Sequence, residues 1–320
     1  MVRLYLELSK ARLSLLVLLT TLVGAVLGGS DLWGWRLLTW RLMWTMIGTG
    51  MAAAGANALN QWLEKERDAR MERTRDRPLP QGKLSPRHAL LWGMGTAVVG
   101  IVLLAWLVNS LAAILALVVV LLYTLVYTPL KRHSTFCTLV GAVCGAIPPM
   151  IGWAASTGRL DLGAWLLATI LFIWQMPHFF ALGWLYRRDY ARGGFCMLPV
   201  VDRTGDLTCR VLVMFSLVML PLGLMVTLTG MAGPIFALGS LLLGIGWLLL
   251  GVRLYRDRSA ANARKVFLGS LVYLPLLLGL MVADRGPESG ATVMAAQESQ
   301  SGKPSGKETS CGEIFDLRGR

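Results

Sequence analysis

Charge is scarce in this chain. Only 15% of its 320 residues are Asp, Glu, Lys or Arg, against 55% hydrophobic, and the mean hydropathy is +0.59. Such a balance excludes an ordinary soluble domain. Cysteine is thin as well: Cys137, Cys144, Cys196, Cys209 and Cys311 are all there is, with no CxxC pair among them. Neither a disulfide framework nor a zinc site is indicated. No internal repeat shows at the level of identity, although the second and sixth apolar stretches each run into a long charged loop. No catalytic dyad stands out either.

What the chain has in quantity is long apolar sequence. Stretches of ~20 residues are long enough to cross ~30 Å of hydrocarbon as helices. Backbone in lipid must satisfy its own hydrogen bonds, which selects helices. Nine stretches qualify, at about 12–29, 42–62, 89–108, 110–128, 136–156, 163–185, 211–230, 232–252 and 266–283. The expected fold is therefore an all-α polytopic membrane protein, with nine transmembrane helices in a bundle over residues 1–284. Residues 285–320, rich in Gly, Ser, Pro and Lys, read as a disordered polar tail. The first stretch follows Arg3, Lys10 and Arg12 and precedes the small residues Gly28–Ser30, as in a signal peptide. Eight further stretches and no soluble domain follow it, so it is read as a retained helix.

The net charge of +13 would suit nucleic acid, but its distribution points elsewhere. With the N-terminus inside, 23 Lys and Arg fall on the inner side and only Arg36, Arg41 and Arg159 on the outer side before the tail. That is the positive-inside bias of a plasma membrane of bacterial type, with anionic lipid as the partner of the basic loops and no nucleic acid. An odd number of spans leaves the tail outside. Every conspicuous charge cluster then caps the bundle on its cytoplasmic side.

The densest cluster is ALNQWLEKERDARMERTRDRPLP at 58–80. Asn60, Glu64, Asp68 and Glu72 recur every four residues, and a step of four turns a helix by only ~40°, so they share one face. Carboxylates so spaced repel each other unless something neutralises them. A salt-bridged solvated face is one reading. Yet Asn60 and Glu64 stand where the apolar stretch ends, and ionisable groups near membrane depth are expensive and usually functional. Mg²⁺ takes one or two carboxylates plus waters and phosphate oxygens, and arginine grips phosphate bidentately. Metal–diphosphate binding is the sharper reading.

The pattern N-x-x-x-(D/E)-x-x-x-D at Asn60, Glu64 and Asp68 resembles the aspartate-rich motif of the UbiA-type intramembrane prenyltransferases. The continuation ARMERTRDRPLPQGKLSP is similar to one branch of that superfamily, the protoheme IX farnesyltransferases (heme O synthases). The likeness runs on through YTPLKRHSTFCTLVGAVCGAIPPMIGW at 127–153, WQMPHFFALGWLYRRDYARGGFCMLPVV at 174–201 and ARKVFLGSLVYLPLLLGLMVAD at 263–284. The motif at 60–68 marks the superfamily; WQMPHF is the specific part. One departure is that Glu64 and Glu66 stand where the branch usually has aspartate.

The resemblance implies farnesyl diphosphate and protoheme IX as substrates, Mg²⁺ as cofactor, and heme O as the product for terminal oxidases. A heme A synthase or oxidase assembly factor would be the neighbour that receives it. It implies Asn60, Glu64 and Asp68 as catalytic residues, with Glu64, Asp68 and Glu72 as metal ligands. Arg73, Arg75, Arg77, Lys131 and Arg188 are the expected diphosphate grips. Asp189, the one carboxylate where relatives carry a second motif, is expected with them at the diphosphate. Asp202 and Asp206 read as ordinary loop residues, His88 as part of a helix start capped by Ser85, and His133 as part of a basic loop. His178, with Trp174 beside it, is the candidate heme contact, since imidazole is a common ligand of heme iron. The same His also fits a packed, hydrogen-bonded role. Gly141, Gly145 and Gly152 have the spacing of closely approaching helices. Three rivals stand beside this: a quinone-precursor prenyltransferase with an aromatic acceptor, a transporter, and a heme-binding assembly factor without catalysis. Transporters place their sites near the midplane, whereas these charges gather at one interface.

Overall fold

The computed structural model describes residues 2–29 and 40–285. The expected tail beyond Arg285, with Cys311, and the loop carrying Arg36 lie outside the described residues. All regular structure among the described residues is helical. Helices α1 (Val2–Leu8), α2 (Ala11–Gly28), α3 (Trp40–Asp68) and α4 (Pro86–Leu107) are followed by α5 (Ser110–Leu121). A π-helical stretch at Leu122–Tyr127 leads from α5 into α6 (Thr128–Leu130). Then come α7 (Cys137–Thr157), α8 (Leu162–Leu185), α9 (Arg187–Arg192), α10 (Leu198–Val201), α11 (Asp206–Leu228), α12 (Pro234–Arg256) and α13 (Ala260–Ala283).

Each of the nine apolar stretches folds as a helix. Seven of these helices are long and apolar enough to cross a membrane: α4, the continuous rod Ser110–Leu130, α7, α8, α11, α12 and α13. The apolar part of α2 is shorter, Leu13–Gly28. Helix α3 has length to spare, but Asn57, Asn60, Gln61, Glu64 and Asp68 are buried along it. Those polar residues face the protein, so the helix's average hydropathy understates what its outer face offers lipid. Large apolar side chains such as Trp106, Met214, Leu228 and Ile235 are exposed on the outer faces, as a lipid environment demands.

Two features position the functional end. Helices α2 and α7 touch backbone to backbone: a Cβ on Gly24 would land on the carbonyl of Pro149, and one on Gly152 on the carbonyl of Thr21. Glycine at both places lets the helices meet at that distance. The second is the widened turn before α6. Pro129 has no N–H to donate into the ladder, and the Tyr123 carbonyl accepts both the Thr128 N–H and the Thr128 hydroxyl, the latter at 2.7 Å. Such π-turns are frequent at functional sites. This one carries Thr128 and Lys131 across to α3.

Candidate active site

Helix α3 runs two turns past its apolar part. Asn60, Glu64 and Asp68 lie on one face and are buried, at 1%, 4% and 1% exposure. Each meets a cation or a hydroxyl from another element. The Asn60 amide nitrogen donates to Thr128 Oγ1 at 3.0 Å, and its oxygen accepts from Lys10 Nζ at 2.6 Å. Glu64 Oε1 lies 2.6 Å from Lys131 Nζ. Asp68 Oδ2 accepts from Arg77 Nη1 at 2.7 Å. Arginine returns to Asp68 because the turns after α3 fold back, held where the Thr74 hydroxyl donates to the Asp68 carbonyl. Lys131 also sits 4.6 Å from the Tyr127 ring centre and 5.5 Å from that of Phe195, so its charge has aromatic faces on two sides.

Three cations and two carboxylates thus share one buried end of the bundle. Burial opposes the charge on Lys131, but the Glu64 carboxylate outweighs it and holds the ammonium above its ordinary pKa. Lys10 goes the other way. Burial, with Arg77 and Lys131 nearby, brings it down to about 7. It is also the described non-glycine residue with positive φ, at 47°, a strained setting of the kind that concentrates at functional sites. Nothing in the sequence marked Lys10 beyond its being one more basic residue ahead of an apolar stretch. Its partner lies fifty residues on, and no periodicity links them.

Glu72 is not a fourth member of the row. Helix α3 ends at Asp68, so the four-residue spacing no longer holds it on the same face. Its carboxylate is exposed and pairs with Arg192 at 2.8 Å. Asp189 holds this loop rather than facing the buried carboxylates: its oxygens accept the backbone N–H groups of Glu72 at 2.9 Å and Arg73 at 3.1 Å. Arg73 spans to Tyr190 OH at 2.9 Å and lies over the Tyr186 ring. Arg75 is exposed, and so is Arg188. Arg188 lines a polar cavity of about 460 Å³ together with Arg187, Arg192 and Arg258. Of the expected diphosphate grips, the fold brings Arg77 and Lys131 onto the row. Glu66 points outward, so Glu64 is the one departure from aspartate that reaches the site.

The donor set fits a divalent cation. Asp68 Oδ1 is buried with no hydrogen-bond partner among the described residues, an acceptor whose satisfaction has to come from elsewhere. Two carboxylates one helical turn apart match what Mg²⁺ asks of a protein when phosphate and water supply the rest. No group of three His, Cys, Asp or Glu among the described residues could hold a metal.

The remaining candidates sort by their contacts. Ser85 caps α4 by accepting the His88 N–H, and His88 and His133 are exposed. Asp202 caps the start of α11. Burial works against its charge, but hydrogen bonds from Thr208, Thr204 and the Gly205 N–H hold its pKa low. Asp206 pairs with Arg210 and Arg258. His178 and Trp174 sit on α8 along an apolar cavity of about 160 Å³, with α2, α7 and α13 forming its other walls. A Cβ on Gly145 would run into the Gln175 amide beside it. His178 is seven residues, or ~10 Å along the axis, before the end of α8.

A helical bundle with lipid-facing sides and a buried carboxylate–cation site at one end is the architecture of a membrane protein with its chemistry gathered at that end. The sequence model of the UbiA prenyltransferase family matches residues 17–274, and the chain belongs to that family. The protoheme IX farnesyltransferase of Solibacter usitatus (strain Ellin6076) is 44% identical over 287 residues, covering 88% of this chain and 98% of the relative. Among solved structures, digeranylgeranylglyceryl phosphate synthase is similar with a TM-score of 0.73 at 16% identity, covering 88% of this chain and 98% of the other. A UbiA homolog from Archaeoglobus fulgidus, bound to DMAPP and Mg²⁺, is similar with a TM-score of 0.67 at 16% identity, covering 91% and 99%.

Lys10 carries a pH prediction. An anionic ligand stabilises the ammonium, so binding takes up a proton where free Lys10 is neutral. Affinity for an unreactive farnesyl diphosphate analogue should fall as pH rises above about 7, by roughly tenfold per unit at most. Isothermal titration across pH 6 to 9 checks this, and Lys10→Met should remove that part of the slope. An identical slope in Lys10→Met would rule Lys10 out.

Proposed function

We propose that this chain transfers the farnesyl group of farnesyl diphosphate to a vinyl group of protoheme IX, giving heme O and diphosphate. The observation that carries the reading is the buried row Asn60, Glu64, Asp68 with its cations Lys10, Lys131 and Arg77, in a chain 44% identical to a protoheme IX farnesyltransferase. A trianionic head needs such an ionic cap, and a farnesyl tail needs an apolar bundle beneath it.

Asp68 and Glu64 would hold a Mg²⁺ ion, which supplies Lewis-acid neutralisation of the diphosphate oxygens. The Archaeoglobus homolog is described as bound to DMAPP and Mg²⁺, which supports the choice of metal. Lys10, Lys131 and Arg77 face the same oxygens and stabilise the charge that develops as the C–O bond breaks. The allylic carbon becomes cationic and is attacked by the terminal carbon of the vinyl group. Water captures the new cation beside the porphyrin and loses a proton, leaving the hydroxyethylfarnesyl group. No strong general base is required. Bulk water must be kept from the first cation, and the buried setting of the row serves that need. The acceptor lies along α8, with His178 and Trp174 in contact with it. The cavity there is smaller than a drug-sized ligand site, so it takes part of a porphyrin edge or prenyl chain at a time.

The chain sits in a bacterial-type plasma membrane with nine spans, α2 and α3 included, and the charged end in the cytoplasm. The test of the reaction is incubation of the purified protein with heme, farnesyl diphosphate and Mg²⁺, with the pigment identified by mass. Recovery of unmodified heme, with turnover of an aromatic acid instead, would favour the quinone-precursor reading. Topology is tested separately. In a background with the other cysteines replaced, Lys83→Cys should be labelled by an impermeant thiol reagent only from the cytoplasmic side, and native Cys311 only from outside. Labelling of both from one side would overturn the count of nine.

A further inference from the structure

The segment of α8 that carries Trp174 and His178 is tied to one residue of another helix. Ser270, on α13, is fully buried. Its Oγ lies 2.7 Å from His178 Nδ1, and the same hydroxyl donates to the Phe267 carbonyl at 2.6 Å. Its own carbonyl accepts the Trp174 indole N–H at 3.1 Å. The Trp174 and His178 rings stack with centroids 5.0 Å apart.

A serine hydroxyl has one proton. Were it given to His178 Nδ1, the Phe267 carbonyl oxygen would face a bare hydroxyl lone pair at 2.6 Å, which is repulsive. The proton therefore belongs to the Phe267 carbonyl, and Ser270 Oγ accepts from Nδ1–H. A neutral imidazole protonated at Nδ1 carries its lone pair on Nε2. Nε2 makes no hydrogen bond among the described residues, and His178 lines the apolar cavity.

We propose that Ser270 is a positioning residue for the acceptor substrate: its hydroxyl fixes His178 in the Nδ1–H tautomer, and its carbonyl fixes the Trp174 ring stacked beside it. Together they present one imidazole lone pair and one aromatic face to the porphyrin. Groups that orient a ligating imidazole through its other nitrogen typically change metal affinity by about 10–100-fold when removed. This inference rests on protoheme IX being the acceptor.

Two arms test it. The chain holds three histidines, so ¹⁵N-histidine labelling of the full-length protein gives few signals, and His178→Gln assigns the one of interest. It should show protonated Nδ1 and bare Nε2, and Ser270→Ala should move it toward the other tautomer. Protonated Nε2 in the unmodified protein would overturn the proposal without any heme present. In the second arm, ferric heme is titrated and followed by its Soret band. Ser270→Ala should weaken heme binding roughly tenfold, raise KM for heme and move the spectrum toward that of His178→Ala. Affinity for the farnesyl diphosphate analogue should be unchanged. Ser270→Thr keeps the hydroxyl and should restore the spectrum. Equal losses for heme and diphosphate would mean that Ser270 merely packs, and an unaltered heme spectrum and affinity would remove it from the acceptor site. Failure of the unmodified protein to bind heme, with the Nδ1–H tautomer intact, would instead count against the acceptor, and the positioning role would fall with it.

Discussion

Asp68→Asn should reduce turnover by 10²–10³-fold or more, on the order found when one electrostatic contact to a developing charge is lost, while the protein folds and inserts normally. The substitution preserves shape and keeps an oxygen to accept from Arg77, whose guanidinium is partly exposed and able to take water instead. The Thr74 contact goes to the backbone carbonyl and is untouched. What disappears is the negative charge and the partnerless Oδ1, the two properties a divalent cation would use. Binding of the farnesyl diphosphate analogue should depend steeply on Mg²⁺ in the unmodified protein and become nearly flat in the variant. A thermal melt in detergent confirms that folding is intact. Turnover close to normal at limiting Mg²⁺ would end the metal assignment to this residue.

Much of the architecture is legible in the sequence because a lipid-facing helix must be apolar for its whole length. The stretch at 163–185 predicts α8 to within one residue at its start. Ends that carry charge are not marked in that way. The apolar stretch at 42–62 gives no sign that α3 continues to Asp68, nor does 266–283 show that α13 starts at Ala260. In both cases the extra turns leave the apolar layer, and hydrophobicity stops reporting where the helix goes on. The site is legible in the same partial way. Asn60, Glu64 and Asp68 share a face through periodicity alone, and the loss of Glu72 needed only the knowledge of where α3 ends. Lys10 is a matter of distance across the bundle. So is Ser270, one serine in an apolar stretch whose spacing points to nothing. Asp189 is legible only through its family position, and the structure gives it a further task, since its two oxygens accept the backbone N–H groups of Glu72 and Arg73.

Lys131→Met should be the most destabilising single change at the site. Both members of its pair are nearly buried, and Glu64 lies 2.6 Å away. Removing one partner of a buried pair typically costs about 3–5 kcal/mol, because the other charge is left without compensation. The variant should show a large drop in its melting midpoint in detergent, or Glu64 should take a proton to escape the penalty. Adding Glu64→Gln to the same protein removes the stranded charge and should recover most of the stability, a favourable coupling that a double-mutant cycle measures directly. Turnover should not return with it. We propose Lys131 as a cation for the leaving diphosphate as well, and a charge-assisted contact of about 1.5–3 kcal/mol corresponds to a roughly 10- to 100-fold loss in affinity for the farnesyl diphosphate analogue. The single and double variants should therefore separate in stability, while the double should bind no better than the single, because it also lacks Glu64 for the metal. Recovery of turnover in the double variant would reduce Lys131 to a counter-ion for Glu64 and remove Glu64 from the metal pair, and the diphosphate would then have to be held by Lys10 and Arg77 with Asp68 as the remaining metal ligand.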